Sequence, residues 1–211
     1  MGFDRELHKQ PTDMGVGAGG DTLVFVGHRE AHTEQYVVTL REAGLPVRVW
    51  GAGWQQARDR ELRDARIIPQ DQYALAIASA GMALCSLSRR NRNESTGRTF
   101  EIPAIGSCLL AESTQEHKFL FRDGEQAVLF VNGDDLVRKA RYYITNAAQR
   151  RAIAIAGHER CLQLDLSWEG HMRREWPIIE RMLVTGEAPT RGLDDVPFWP
   201  GFRDGEPFGN S

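Results

Sequence analysis

The chain has 211 residues, 41% of them apolar and 26% charged, which is ordinary for a globular protein and enough for one large core or two small ones. With 26 basic against 29 acidic residues and a formal net charge of −3, no general field draws in nucleic acid or a membrane surface, so any basic site is local. No stretch approaches the ~18 apolar residues of a membrane span, and the opening MGFDRELHKQ lacks the apolar run of a signal peptide, so a soluble, cytoplasmic protein is expected.

In chain order, residues 1–20 end in GVGAGG and read as a flexible lead-in to a domain over 21–186. Thr22 to Gly27 is a short, continuously apolar run ending in glycine, the pattern of a strand buried on both faces. His32 to Ala43 carries helical spacing at Tyr36, Val37 and Leu40, closes with Gly44 and leads into a second strand over Val47 to Gly51. Gln55 to Arg63 reads as a short exposed helix, Arg66 to Ile68 as a third strand, Tyr73 to Ala80 as a helix and Met82 to Leu87 as a fourth strand. A helix within Arg98 to Ile105 precedes a fifth strand at Ser107 to Ala111; helices at about 114–121 and 134–145 flank a last strand at Ala127 to Phe130. Two further helices cover Ala147 to Leu164 and Ser167 to Leu183, and 187–211 is an irregular, Pro- and Gly-rich tail in which Phe198, Trp199 and Phe202 could dock on a surface. Strands separated by helix-length segments predict an α/β, Rossmann-like, doubly wound parallel sheet with C-terminal helices.

Cys85, Cys108 and Cys161 are odd in number, widely spaced and set among apolar residues, which excludes a disulfide framework and a zinc site and leaves reduced core residues. Tyr142, Tyr143, Ile144, Ile153 and Ile155 fall in helical segments and are expected in the core rather than against a cofactor.

The candidate site follows from the sheet. In an open parallel sheet the ligand crevice lies beyond the carboxyl ends of the strands, where Ser88 to Gly97 emerges. Pro103 is tolerated in a first turn but costs about 3 kcal/mol or more in a helix interior, which places Thr99 to Ile102 in or near the first turn of the next helix. Backbone N–H groups at such a terminus make an anion site, Ser95, Thr96 and Gly97 are small enough for close approach, and Arg98 adds a side-chain charge. Glu101 cannot serve the anion and suits a pair of sugar hydroxyls; the plain alternative is an i,i+3 surface ion pair with Arg98. Gly27, His28 and Arg29 follow the first strand and line the opposite wall, His28 being equally readable as an exposed turn residue. Glu112 to His117 offers either sugar contact or helix capping by Ser113 or Thr114. No Asp, His or Cys cluster has metal-ligand spacing, so neither a metal nor a cofactor is expected.

Arg98 to Glu112, EHKFLFRDGEQAVLF (Glu116 to Phe130), DLVRKARYYITNAAQRRAIAIAGHERCL (Asp135 to Leu162) and the early FVGHREAHTEQYVVTLREAGLPVRVWGAGW (Phe25 to Trp54) occur together in this order. Over roughly residues 1 to 183 the chain resembles the CgeB-type glycosyltransferases. The resemblance implies the second, nucleotide-sugar-binding domain of a GT-B enzyme, with residues 1–20 as the connector and the acceptor-binding half missing or separate. It places Glu101 at the ribose hydroxyls, Ser95, Thr96, Gly97 and Arg98 at the diphosphate, and Glu94 near the sugar end, one residue off the family's usual spacing. Arg98 and Glu94 are the catalytic candidates it implies, and a nucleotide-diphosphate sugar the donor substrate. A non-catalytic nucleotide-sugar-binding or assembly module with the same fold is the alternative.

Overall fold

The computed structural model describes residues 1–89 and 93–186. β1 (Gly20–Val26), β2 (Val47–Trp50), β3 (Ala80–Cys85), β4 (Cys108–Glu112) and β5 (Val128–Phe130) form one sheet in the order β2-β1-β3-β4-β5. Every pairing is parallel, with Leu23 opposite both Val47 and Met82, Met82 opposite Cys108, and Leu110 opposite Val128. β3 and β4 are buried at every position because helices cover both faces, which is why their sequences AGMALC and CLLAE show no polar alternation until the last residue.

The period-2 geometry of the strands divides their side chains between two cores. Val24, Val26, Ala83, Leu109, Ala111 and Leu129 meet Ile77 of α2 (Gln70–Ala78) and Phe100, Ile102 and Ile105 of α3 (Gly97–Ile105). Leu23, Phe25, Met82, Leu84, Leu110 and Val128 meet Val37 and Leu40 of α1 (Ala31–Glu42) and Leu136 and Ala140 of α5 (Gly133–Thr145). Each fully buried Leu, Ile or Phe contributes about 1.5–3 kcal/mol relative to exposure. α4 (Gln115–Leu120), α6 (Ala147–Gln163) and α7 (Trp168–Thr185) complete the described elements. The fold is therefore the doubly wound α/β sheet that the strand and helix alternation predicts.

Four local expectations are corrected. Arg66 to Ile68 is not a strand: the Gly51 N–H bonds to the Arg66 carbonyl at 3.0 Å, but Pro69 then turns the chain into α2 before a ladder can form, and Ile67 is exposed. The sheet thus has five strands rather than six. Gln55 to Arg63 forms two 3₁₀ turns, Trp54–Gln56 and Arg60–Asp64, which bury Trp54 and Leu62. Pro103 marks the end of α3 rather than its start, since the helix begins at Gly97 and stops at Ile105 against Gly106, whose φ of +92° suits glycine. Among the five residues expected in the core, Ile144 and Ile153 are buried, whereas Tyr142 and Ile155 lie on the outward faces of α5 and α6 and are exposed.

Residues 1–20 are anchored at their start. Phe3 is buried, its N–H bonds to the Leu166 carbonyl and its carbonyl accepts from the Trp168 N–H, while Arg5 pairs with Asp165 at 2.5 Å. Phe198, Trp199 and Phe202 lie outside the described residues. Among the described residues no helix is long and apolar enough to cross a membrane.

Candidate functional site

The strand order reverses direction between β1 and β3, because the chain leaves β1 toward β2 on one side and β3 toward β4 on the other. The two connections therefore part above the carboxyl ends of these strands and leave a crevice between them. Gly27 sits at its floor. A Cβ there would lie 2.8 Å from Phe25 Cζ and 3.1 Å from Arg98 Nη2, so the bare glycine is what lets the Arg98 side chain cross from α3 to the end of β1. Arg98 Nε donates to the Val26 carbonyl, and its guanidinium carbon stands 6.0 Å from the Phe25 ring centroid. Gly51 approaches Gly27 so closely that a Cβ would fall 1.9 Å from the Gly27 carbonyl oxygen, which also accepts from Trp54 Nε1 at 3.0 Å. His28 is exposed, with its ring against Gly53.

α1, α3 and α4 are three of the helices that start along this edge, and their first turns differ. At α1, Arg29 pairs with the buried Glu34 at 2.6 Å, and Glu34 also accepts the N–H groups of Arg58 and Asp59 at 2.5 and 3.2 Å. Burial opposes ionisation of Glu34, but the hydrogen bonds from Arg29, Asp59 and Arg58 outweigh it and hold the carboxyl below its ordinary value. At α4, Thr114 accepts from the His117 N–H at 3.0 Å, and Glu94 Oε2 accepts from the Glu116 N–H at 3.0 Å. At α3 the first turn holds no acidic residue; Thr96 N–H donates to Thr99 Oγ1 at 3.0 Å, and Ser95 and Thr99 are buried. α1 thus carries a carboxylate in its first turn and α4 receives one from Glu94, whereas α3 has no acidic residue in its first turn and meets only Glu101, one turn further on.

Glu101, one turn into α3, reaches back to this end. Its Oε1 lies 2.7 Å from where a Cβ on Gly97 would be, so any side chain at 97 would displace it. Its Oε2 accepts from the Tyr73 hydroxyl at 2.6 Å, and burial together with the Glu101 charge pushes the Tyr73 phenol upward. The sequence alternative of an Arg98–Glu101 ion pair is thereby displaced: the carboxylate is oriented by Tyr73 of α2, and Arg98 Nε by Val26 of β1.

Below the α3 end lies a buried polar chain. Cys85 Sγ is 3.5 Å from Thr96 Oγ1 and 3.7 Å from Thr99 Oγ1; Thr99 Oγ1 is 2.9 Å from His117 Nε2; and His117 Nδ1 donates to the Glu112 carbonyl at 2.6 Å. Because a carbonyl only accepts, Nδ1 carries a proton, and in the neutral imidazole Nε2 accepts from the Thr99 hydroxyl. Burial favours the neutral thiol of Cys85, yet hydrogen bonding with His117 and the threonine hydroxyls outweighs it and lowers the thiol; the same pairing raises His117 against the pull of burial.

Beside the α3 end a cleft of about 440 Å³ opens over β4 and β5, lined among others by Tyr36, Arg89, Glu94, Glu112 and Thr114. Glu112 Oε1 accepts from the Leu87 N–H at 2.9 Å, and its Oε2 accepts from Arg89 at 2.7 Å and from the Tyr36 hydroxyl at 3.4 Å. A larger groove, about 840 Å³, runs along α1 past Glu34, Arg41, Arg58 and Asp59, where Glu34 is held by Arg29 and by the Arg58 and Asp59 N–H groups.

The structure therefore gathers Gly27, Ser95, Thr96, Gly97, Arg98 and Glu101 at one point, sets His28 on the rim, and engages Arg29 and Glu94 at the other two helix ends. Thr114 caps α4, which answers one of the two readings of Glu112 to His117. Sequence reasoning missed Tyr73, which read only as helix, and gave Glu112 no role of its own. A carboxylate closing the otherwise apolar run CLLA was the available signal for Glu112.

A family model described as glycosyl transferase-like matches residues 29–174, well over half of the chain, and the protein belongs to that family. Sucrose-phosphate synthase from Thermosynechococcus elongatus is similar in structure, with a TM-score of 0.64 and 16% identity over 88% of this chain and 52% of that one. HepE from Anabaena, solved in complex with UDP-glucose, gives a TM-score of 0.64 and 14% identity over 85% and 56%. The C-terminal domain of a group 1 glycosyl transferase, LpcC of Francisella tularensis, gives 0.52 and 14% over 77% of this chain and 97% of that domain. The chain spans about half the length of the first two. No curated protein sequence matches it. The fold is that of GT-B-type glycosyltransferases.

Proposed function

We propose that this chain is the donor-binding half of a CgeB-like glycosyltransferase that moves a sugar from a nucleotide-diphosphate sugar to an acceptor hydroxyl. The observation that carries this reading is the α3 end: one helix start without a carboxylate in its first turn, between two that carboxylates already meet, opening at the point where the strand order reverses. A diphosphate fits that position against Ser95, Thr96 and Gly97, through the first-turn N–H groups from Gly97 onward, the Thr96 N–H being held by Thr99, and through the charge of Arg98. Glu101 sits where a carboxylate beside the phosphates can accept two ribose hydroxyls. Gly27, His28 and Arg29 form the opposite wall, and Glu94 stands on the sugar side.

In the transfer, the bond from the anomeric carbon to the diphosphate oxygen breaks and its electron pair leaves with the diphosphate. The acceptor oxygen bonds to that carbon and releases its proton. Arg98 and the α3 N–H groups stabilise the charge that grows on the departing diphosphate, without a metal. The acceptor is positioned by a wall outside the described residues, and such positioning supplies much of the rate in group transfer. Three buried, unpaired cysteines suit a reducing cytoplasm.

The engagement of Glu94 at α4 favours one second reading, a nucleotide-sugar-binding or assembly module that retains the seat without turnover. Calorimetric titration with UDP and UMP tests the seat. UDP binding at least about tenfold tighter than UMP, unchanged by EDTA, is expected; equal affinities would remove the diphosphate from α3, and loss with EDTA would replace the metal-free mechanism. Consumption of UDP-glucose with a panel of acceptors separates enzyme from module.

A further inference from the structure

The cleft beside the α3 end has a wall whose chemistry is more specific than the reading above requires. Glu112 is at the carboxyl end of β4, and only about a tenth of its side chain is exposed. A carboxylate has about four acceptor positions. Among the described residues, Leu87 N–H, Arg89 and the Tyr36 hydroxyl occupy three of them, the last at a long 3.4 Å, which leaves one position to a further donor and none to an anion. Arg89, more than half exposed at the rim, is the one cation among the described lining residues, and its charge is met by Glu112 at 2.7 Å. Glu94 adds a second carboxylate, while Ser88, Thr114 and Tyr36 add hydroxyls. The described charged groups of the lining therefore sum to a net negative wall rich in acceptors.

Resting on the donor-half reading, we infer that this cleft receives the sugar of the donor and that Glu112 makes it select a neutral, polyhydroxylated sugar over one that bears a carboxylate. A sugar hydroxyl is the donor that the remaining position of Glu112 accepts. A uronate would bring a third carboxylate to the wall, and the cation it meets among the described lining residues, Arg89, could serve it only by leaving Glu112, a buried carboxylate, without its counter-charge. The selection acts through the pair: Glu112 both offers the acceptor and withholds Arg89.

The test compares UDP-glucose with UDP-glucuronate, which differ only in a carboxylate in place of the terminal hydroxymethyl group. Each affinity is measured by calorimetry and read relative to UDP on the same variant. The wild-type chain is expected to bind UDP-glucose at least tenfold more tightly than UDP-glucuronate, and Glu112→Gln to narrow that gap to threefold or less by releasing Arg89. Arg89→Ala, which also leaves the buried Glu112 without its counter-charge and is therefore compared on the folded protein, is expected to widen it. If UDP binds but wild type shows no preference, or the gap persists in Glu112→Gln and does not widen in Arg89→Ala, the inference is overturned while the donor-half reading stands. Failure of wild type to bind UDP, ADP or GDP overturns the donor-half reading, and this inference with it.

Discussion

α1 and α3 begin above adjacent strands at the same edge of the sheet, yet their first turns are built for opposite purposes. α1 starts with a buried carboxylate that collects an arginine and two backbone N–H groups from the Trp54–Asp64 segment, so the positive end of the helix and the loop beside it are fastened to each other. α3 starts with a glycine, hydroxyl side chains turned inward to Cys85 and His117, and an arginine laid across the strand end. A helix start crowded by carboxylates repels an anion; one capped only by the hydroxyls of Thr96 and Thr99, with an arginine beside it, suits one. Proximity to the crevice is therefore insufficient to define a site, because Arg29 and Glu94 also lie there and are engaged by other elements.

The largest expected effect breaks the α1 side. Glu34→Gln removes the charge that Arg29 faces in a nearly buried pair and should cost about 3 kcal/mol in stability, measured by denaturant unfolding. UDP affinity of the folded fraction should be unchanged, and a fall would mean that α1 shares the anion. The same carboxylate carries a pH signature. Its folded pKa lies below its unfolded value, so its contribution is present above the unfolded value of about 4.3 and is lost as pH falls below that. Acid unfolding curves of wild type and Glu34→Gln should converge over that window, and parallel curves would show that Glu34 is not the group responsible.

On the α3 side, Glu101→Gln exchanges an acceptor for a donor at the ribose and should weaken UDP binding by roughly 1.5–3 kcal/mol, about tenfold to a hundredfold, with the fold intact. Unchanged affinity would leave Glu101 as nothing more than a partner of Tyr73. Arg98→Ala should lower UDP affinity about tenfold and UMP affinity less, closing the difference between the two ligands. If both fall equally, Arg98 acts through the packing of Phe25 and Gly27 rather than on the distal phosphate.

The smallest effect concerns α4. Glu94→Gln weakens one exposed cap and should cost about 0.5 kcal/mol in stability, with no change in UDP affinity. Tighter UDP binding would reveal that the Glu94 charge faces the α3 end after all, and the contrast among the three helix starts would narrow.

The sequence by itself determined the parallel sheet, because strands covered on both faces need unbroken apolar runs such as LVFV and CLLA, and these stand out without any structure. It also brought the α3 region to the crevice, since the segment that follows a strand of an open parallel sheet emerges at the carboxyl edge. It misjudged Arg66 to Ile68, where a short apolar run fits a strand as well as a segment that Pro69 cuts off, and it read Pro103 as a start signal when the Thr96–Thr99 cap lay upstream. Tertiary structure alone decided which charges remain available. Whether Arg29, Glu94 or Arg98 meets a ligand depends on partners that packing supplies: Glu34 one helix turn into α1, Glu116 beyond β4, and Val26 at the end of β1. Orientation of Glu101 by Tyr73, and of Glu112 by Leu87, Arg89 and Tyr36, has the same origin. A side chain's charge is written in the sequence, but the donors that compete for it are set by how the elements pack.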